Sequence, residues 1–449
     1  MDSLQDGIDT LRSAVIDGRT ENVRHRQNEL SKLHSGLTGK SSSICDAISK
    51  ASGVSASDAE KEFVLAMDAV QKIYETLDFE RSLEDEYLVK EGKDHLSRRV
   101  GLGIVSIRPT NHTRLYSIVS PLAAAIAAGN CVLLELEYRH SQLDQALMEI
   151  LPSALDRDTF FVSHTRLKNE QASQIDSTVD QLSTASVSDL DQLLSSQPKT
   201  RTLAVVDRTA NIGLAARSIA TARLPPYNTS PYSPDLVIVN TFVVEEFVEG
   251  CMEYADSIVS SGEKSVSDGN LQGLEDNSAG GGLVVHTSKT GNLKVVVLQD
   301  RSSKPPTAKI VGQYLFVRPS TSTTDAIFSQ LSSPTFLATY NFATPSLTKH
   351  LSQSISSHAS FANYIPLALL YGPAAPSPTI YSVSVHPRYT PEMFSAPRPE
   401  FVTEIGFPVD VKGLKPIGQK KGHAVGFFEQ GIFIGLGLTA SVVLPVAGW

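Results

Sequence analysis

Residues 100–135 read VGLGIVSIRPTNHTRLYSIVSPLAAAIAAGNCVLLE, and their rhythm decides the fold. GIVSI and CVLLEL are short, bounded apolar runs of the kind that form buried strands. Between them SIVSPLAAAIAAG is long enough for a helix and stops on Gly129, the residue type that ends helices in a left-handed turn. Strand, helix and strand in this order make a parallel βαβ unit.

The alternation continues outward. DQALMEILP reads as a helix and TFFVS as a strand. TLAVVD (202–207) is a further buried strand, followed by the helix NIGLAARSIATARL, then LVIVN (236–240) and the helix VVEEFVEGCMEYADSIV. Residues 310–370 return to the same alternation. The pattern predicts a doubly wound parallel sheet. Upstream, residues 5–90 are helical. Val15, Val23, Leu30 and Leu33, then Phe63, Met67, Val70, Ile73 and Leu77, recur at helical spacing, and Ser55 and Ser57 before AEKEF mark a helix start. These helices are expected to form one packed antiparallel layer. Residues 259–305, rich in Ser, Gly, Asp and Asn, read as a surface excursion, and residues 372–400 as Pro-rich and irregular.

A chain of 449 residues with 41% hydrophobic and 19% charged residues has room for two or three domains with large cores. Its formal net charge of −9 offers nothing to neutralise phosphates, which argues against nucleic acid as a partner. Cys45, Cys131 and Cys251 are too far apart in sequence for a metal-ligand spacing, so no metal is expected. They fit a reducing compartment without a disulfide framework. The start, MDSLQDGIDTLRSAV, carries acids and no apolar core, unlike a secretory signal.

Gly103, Pro109, Asn111, Pro121 and the run Ala127-Ala128-Gly129-Asn130 resemble the cofactor-domain signature of the aldehyde dehydrogenase superfamily, most of all its class 3 (fatty-aldehyde type). Gly18-Arg19-Thr20, Phe361-Ala362-Asn363 and Arg388-Tyr389 match further class 3 elements. The resemblance covers about residues 15–405 and implies an α/β aldehyde dehydrogenase-like fold. That fold has a Rossmann-like parallel-sheet domain with N-terminal helices (1–205), a second, formerly catalytic α/β domain (206–385) and a dimerisation arm (386–425). A homodimer is expected.

The resemblance also implies a chemistry that this chain does not repeat. In the family a Cys thiolate attacks the aldehyde, hydride passes to NAD(P), and a Glu activates the water that releases the acid. Anchoring on Ser233-Pro234-Asp235-Leu236-Val237 places Pro231 at the nucleophile, and proline has no heteroatom to attack with. Counting back from TLAVVD places Gln197 at the general base, an amide that takes no proton in this range. Glu135 stands where the family has a cofactor-contacting Lys. It retains the ability to accept from ribose hydroxyls and would repel a 2′-phosphate. Between Gly129 and Gly213 there is no glycine to bring backbone amides against a pyrophosphate, and QLSTASVSDLDQLL implies a shortened helix there. Lys309-Ile310-Val311-Gly312-Gln313 lacks the acid and Phe of the family's ribose clamp. Binding of NAD(P) is therefore expected to be absent or weak.

Asn111 matches the Asn whose amide completes the family's oxyanion hole, and it reads either as a retained carbonyl donor or as a turn Asn. His112 and Arg114 beside it read as surface residues or as groups facing the old tunnel, His112 then as an acid/base imidazole. Tyr227, Ser230, Tyr232 and Ser233 fill the former nucleophile loop. Candidate site residues are thus Asn111, His112, Tyr227 and Ser230, with Glu135 for a cofactor.

GIFIGLGLTASVVLPVAGW (431–449) carries no charge and approaches the ~20 residues a helix needs to cross a bilayer. Lys420, Lys421 and His423 precede it and Trp449 ends it, as interface anchors do. Residues 426–449 are expected to anchor the protein to the cytosolic face of an intracellular membrane such as the endoplasmic reticulum; the alternative is a buried segment of the folded domain. Three functions stay open. One is a carbonyl-binding protein or membrane-attached scaffold without thiol-mediated oxidation. Another is a non-redox enzyme (isomerase, cyclase or hydro-lyase) using the former substrate tunnel. The last is an aldehyde oxidoreductase with an unfamiliar nucleophile.

Overall fold

The computed structural model describes residues 3–136, 141–183, 193–258, 283–299, 307–376 and 381–404, with isolated positions at 305, 406, 413, 414, 418, 426, 430–432 and 434. Its N-terminal helices are α1 (Ser3–Ile16), α2 (Val23–Thr38), α3 (Ser41–Ser52), α4 (Ala56–Tyr74) and α5 (Phe79–Tyr87). Strands β1 (Arg99–Gly101) and β2 (Ile104–Arg108), helix α6 (Arg114–Ala127), strand β3 (Cys131–Glu135), helix α7 (Gln142–Ala154) and strand β4 (Phe160–Ser163) follow. Next come helix α8 (Asn169–Ala172) and strands β5 (Ser177–Asp180) and β6 (Leu193–Ser195). The second half holds β7 (Thr202–Val206), α9 (Ile212–Arg223), β8 (Leu236–Asn240), α10 (Val244–Ser257), β9 (Leu283–Thr287), β10 (Lys294–Leu298), β11 (Tyr314–Ser320), β12 (Ala338–Phe342), β13 (Ser360–Ala362) and β14 (Ser395–Pro397).

Two large sheets divide these strands. The first is parallel throughout, in the order β4-β3-β2-β5-β6. The second runs β13-β12-β7-β8-β11-β10-β9 and is parallel except for β9. β1 and β14 form a separate antiparallel pair. The strand-helix-strand reading of residues 100–135 is β2-α6-β3, as expected.

Both faces of the first sheet are buried, which explains why CVLLE is apolar without a polar alternation. Val132 and Leu134 of β3 face one way, into a core shared with α2, α4, α6 and α7. Cys131 and Leu133 face the other way, onto Leu4, Ile8 and Leu11 of α1. The N-terminal helices therefore do not make one layer, because α1 covers the opposite face from α2 and α4. Periodicity shows which stripe of a helix is apolar but not which sheet face receives it.

The family-like motifs meet in space. Thr20 Oγ1 donates to Gly129 O at 2.7 Å, and Arg26 donates to Thr20 O at 2.7 Å. Gly129 has φ +85, which requires glycine, and a Cβ there would also push the Arg26 guanidinium, 2.7 Å away, from its place. The Asn130 amide accepts from Gly103 N at 3.0 Å and donates to Ala125 O and Phe394 O at 3.0 and 2.9 Å. One buried side chain thus ties the start of β2, the end of α6 and the C-terminal segment.

Residues 283–299 correct the reading of 259–305 as a surface excursion. LVVHT and KVVVL are paired strands, and Val295–Leu298 of the second are buried. Their β-branched runs stand between Gly- and Ser-rich flanks that dominated the composition. The rest of that stretch, the shortened-helix reading at 184–192 and most of 426–449 lie outside the described residues. No helix among the described residues is long and apolar enough to cross a membrane.

Candidate functional site

In a doubly wound sheet, ligands bind beyond the carboxyl ends of the strands where the strand order reverses. That point in the first sheet lies between β2 and β5, and Asn111 follows β2 directly. The carboxyl edge of this sheet faces the segments that lead into β8 and β11 of the second. Between them is a cleft of about 480 Å³, lined among others by Glu62, Asn111, His112, Thr229, Gln313 and Tyr371.

The loop carrying Asn111 is held by polar side chains behind it. Pro121 sits inside α6 and has no N–H, so the Ser117 carbonyl has no helical donor from that position. Gln181 Nε2 donates to it at 2.8 Å, while Gln181 Oε1 accepts from Thr110 N at 2.9 Å. Arg114 donates to Pro109 O at 2.8 Å and pairs with Asp144 at 3.0 Å. Arg114 is therefore neither a surface group nor a tunnel group: it clamps the loop from inside. Asn111 is left exposed, its amide bonds to no other described residue, and it borders both the cleft and a groove at the end of β3.

His112 lines the cleft and is half-buried. Its Nε2 lies 2.8 Å from Leu370 O, which accepts only, so the proton resides on Nε2. Nδ1 then accepts from Thr229 Oγ1 at 2.9 Å. Burial and, less strongly, the Arg388 charge lower its pKa to about 4 against the opposing Leu370 bond. The imidazole is neutral near pH 7 with both nitrogens engaged.

In the loop before β8, Tyr227 and residues 230–233 are buried. Pro231 is enclosed, its carbonyl accepting from Thr202 Oγ1 at 3.1 Å. Ser230 is 1% exposed and accepts from Tyr232 N at 3.2 Å. Tyr227 packs edge-on against Tyr371, with the hydroxyls 3.3 Å apart. Of this loop only Asn228 and Thr229 reach the cleft. Gln197 lies elsewhere, on a separate cleft with Lys199, Arg201 and His358, where it accepts from Thr200 Oγ1 at 3.2 Å. The structure brings together Asn111, His112 and, through Tyr371, Tyr227; it does not bring Ser230 or Gln197 to them.

The groove beside Asn111 tests the cofactor. It holds about 40 Å³ and is bordered by Arg108, Glu135, Arg166 and the side chain of Leu182. Glu135 is 4% exposed. It accepts from Arg108 Nε at 2.8 Å, from Ser106 Oγ, and from Leu167 N at 3.2 Å. A carboxylate so engaged binds its own strands together and has little left for a ribose hydroxyl.

No cysteine reaches the cleft. Cys131 and Cys251 are buried in the two cores, and burial raises the first thiol to about 12 and the second further. Cys45 is half-buried on α3, its thiol also raised by burial and by nearby acids.

Glu62 is the group that the sequence reading missed. It sits on the apolar stripe of α4, 5% exposed, and lines the cleft. Its Oε1 accepts from Leu115 N at 2.9 Å and Tyr116 N at 3.4 Å, the first free amides of α6. Thr113, at the cap position, has φ +43 and uses its hydroxyl to accept from Gly372 N at 2.6 Å, so it cannot cap the helix itself. Burial raises Glu62 to about 7 although both amide bonds favour the charged form. The one signal available in sequence was an acid breaking the apolar stripe beside Phe63 and Ala66.

The fold and cleft define an aldehyde dehydrogenase-like architecture. Residues 9–169 match the model of the aldehyde dehydrogenase family. The chain resembles that superfamily, and class 3 within it: aldehyde dehydrogenase family 3 member B1 of Mus musculus is 32% identical over 169 residues, 36% of this chain and 35% of the relative. The Homo sapiens family 3 member B1 is 30% identical over 168 residues, again 36% and 35%. The match thus spans about a third of these relatives' length. The fold extends further. Substrate-bound AldH of Staphylococcus aureus has a TM-score of 0.68 at 16% identity, covering 93% of this chain and 97% of its own. HpcC of Thermus thermophilus has 0.66 at 15% identity, covering 92% and 87%.

Proposed function

We propose that this protein binds a carbonyl-bearing small molecule in the cleft at Asn111 and does not oxidise aldehydes through a thiolate. One observation carries the reading: none of the three cysteines lines the cleft, and burial weakens each as an acid. A thiohemiacetal needs a thiolate within bonding reach of the carbonyl carbon. The Asn111 amide, by contrast, is unengaged by any other described residue, which suits a carbonyl oxygen as its partner. Pro231 and Gln197 at the family's reactive positions support the same reading, as does the small groove at Glu135, and NAD(P) binding is expected to be absent or weak. We further propose a homodimer and attachment to a membrane through residues 426–449, which would also suit a scaffold.

Calorimetry against a panel of aldehydes and ketones, with wild type and Asn111→Ala, tests the reading. Binding that weakens at least tenfold in N111A is expected. No binding tighter than about 100 µM, roughly 5.5 kcal/mol, is expected for NAD or NADP. NAD-dependent aldehyde turnover abolished by alkylating one cysteine would refute the proposal.

A further inference from the structure

We propose that Glu62 is the proton-transfer group of the cleft, moving a proton at the carbon next to a substrate carbonyl whose oxygen is held by Asn111. The inference rests on carbonyl binding at Asn111 and gives that site a reaction. It begins from the two oxygens of one carboxyl. Oε1 has a structural duty, capping α6 through Leu115 N and Tyr116 N. A glutamine oxygen would perform that duty equally well. Oε2 has no hydrogen-bond partner among the described residues, and it is not one of the sealed, unpartnered polar atoms of the interior. Since Glu62 lines the cleft, Oε2 opens onto it. A carboxyl almost wholly withdrawn from water, with no cation beside it and one oxygen without a partner, is costly to stability and marks a candidate functional group.

The surroundings leave Glu62 as the exchangeable group, since both oxygens of its cleft neighbour Asp58 are engaged, one by Ser55 Oγ at 2.7 Å and the other by Lys61 Nζ at 2.9 Å. Asp58 from the same helix, His112 from the Asn111 loop, Tyr116 from α6, Tyr371 from beyond β13 and Cys45 from α3 are the titratable groups nearby. No cation pairs with Glu62 among the described residues. His112 has both nitrogens occupied, and burial and Tyr227 raise the Tyr371 hydroxyl far above neutrality. Near neutrality Glu62 is present both as base and as acid.

The step balances without a co-reactant. Oε2 takes a proton from the carbon next to the carbonyl, and the C–H electron pair becomes a C=C bond. The carbonyl oxygen gains the charge as an enolate and accepts from the Asn111 amide. The protonated Glu62 then returns the proton to the same carbon or, where that carbon bears a hydroxyl, to the former carbonyl carbon, while the hydroxyl's proton passes to the enolate oxygen and its own oxygen becomes the new carbonyl. The substrate class is an aldehyde or ketone with an acidic hydrogen beside the carbonyl; the reaction is exchange of that hydrogen, and isomerisation without net redox change where the same carbon bears a hydroxyl.

The experiment uses the full chain in D₂O with hydroxyacetone and phenylacetaldehyde as probes, following loss of the α-proton signals by NMR and binding by calorimetry. Wild type is expected to accelerate exchange, with a rate that rises with pH through about 7. Glu62→Gln keeps the α6 cap and is expected to lose at least about 100-fold in rate with unchanged probe affinity. Binding without exchange in wild type, or exchange in E62Q equal to wild type, overturns the inference and leaves carbonyl binding intact. Absence of binding to either probe counts against the binding proposal as well. If E62Q does not fold, the wild-type pH profile decides: a flat rate from pH 5.5 to 8.5 overturns the proposal.

Discussion

Asp235, beside β8, accepts from four donors, and removing its charge should destabilise the protein severely. Its Oδ1 accepts from Arg223 Nη2 at 3.0 Å and Ile310 N at 2.8 Å, and its Oδ2 from Thr202 N at 2.7 Å and Lys309 Nζ at 2.9 Å. Arg223 and Asp235 are 0% and 1% exposed. Asp235→Asn would leave two buried cations facing no anion and set an NH₂ group against donors. Breaking a buried ion pair from one side costs about 3–5 kcal/mol. The two cations differ in their escape. Lys309, already lowered to about 8 by burial, can release its proton when Asp235 no longer holds it. Arg223 cannot. Most of the loss should therefore trace to Arg223. Urea unfolding at pH 7 is expected to show D235N about 3–5 kcal/mol less stable, with R223M recovering more of this than K309M. A loss below about 1 kcal/mol, or better rescue by K309M, would refute the reasoning.

Further outcomes are expected elsewhere. Glu62 in the fold titrates near 7 instead of its ordinary 4.5, so between these values the folded chain holds a proton that the unfolded chain has released. Its contribution is complete below pH 4.5 and is lost as pH rises through about 7. At 1.36 kcal/mol per unit, E62Q should gain about 3 kcal/mol over wild type between pH 4.5 and 8, measured as the difference of their unfolding free energies. A thiol reagent should titrate at most one cysteine, Cys45, in the native protein and all three after denaturation; rapid native labelling of Cys251 would contradict its burial. The His112 ring signals in NMR should show no protonation above pH 5 and begin to shift near 4. Deleting residues 426–449 should release a membrane-pelleting protein as a soluble, folded one. Aggregation of the truncated form, with the full chain soluble without detergent, would place this segment in the folded domain.

Residues 100–135 revealed the fold because local rules act there without competition: strand length, an alanine-rich helix and a glycine stop leave one solution. The same stretch contained Asn111 and His112, and both line the cleft. The motif around Gly129 and Asn130 could be read from sequence because glycine and asparagine there meet demands of the backbone itself. What stayed hidden depended on distant partners. Whether Arg114 faced solvent, tunnel or interior was settled by Asp144 across the layer. That Glu135 is held by Arg108 and Ser106 on the adjacent strand appears only in the packed structure. β9 and β10 gain their meaning only by pairing beside β11, which composition cannot report. Glu62 lay outside every motif: one acid on an apolar helix stripe says nothing until α4 meets the uncapped start of α6. Local propensity and periodicity are properties of neighbours along the chain, and these the sequence displays. Burial, unsatisfied amides and shifted acidity are properties of neighbours in space, and those arise only when the layers pack.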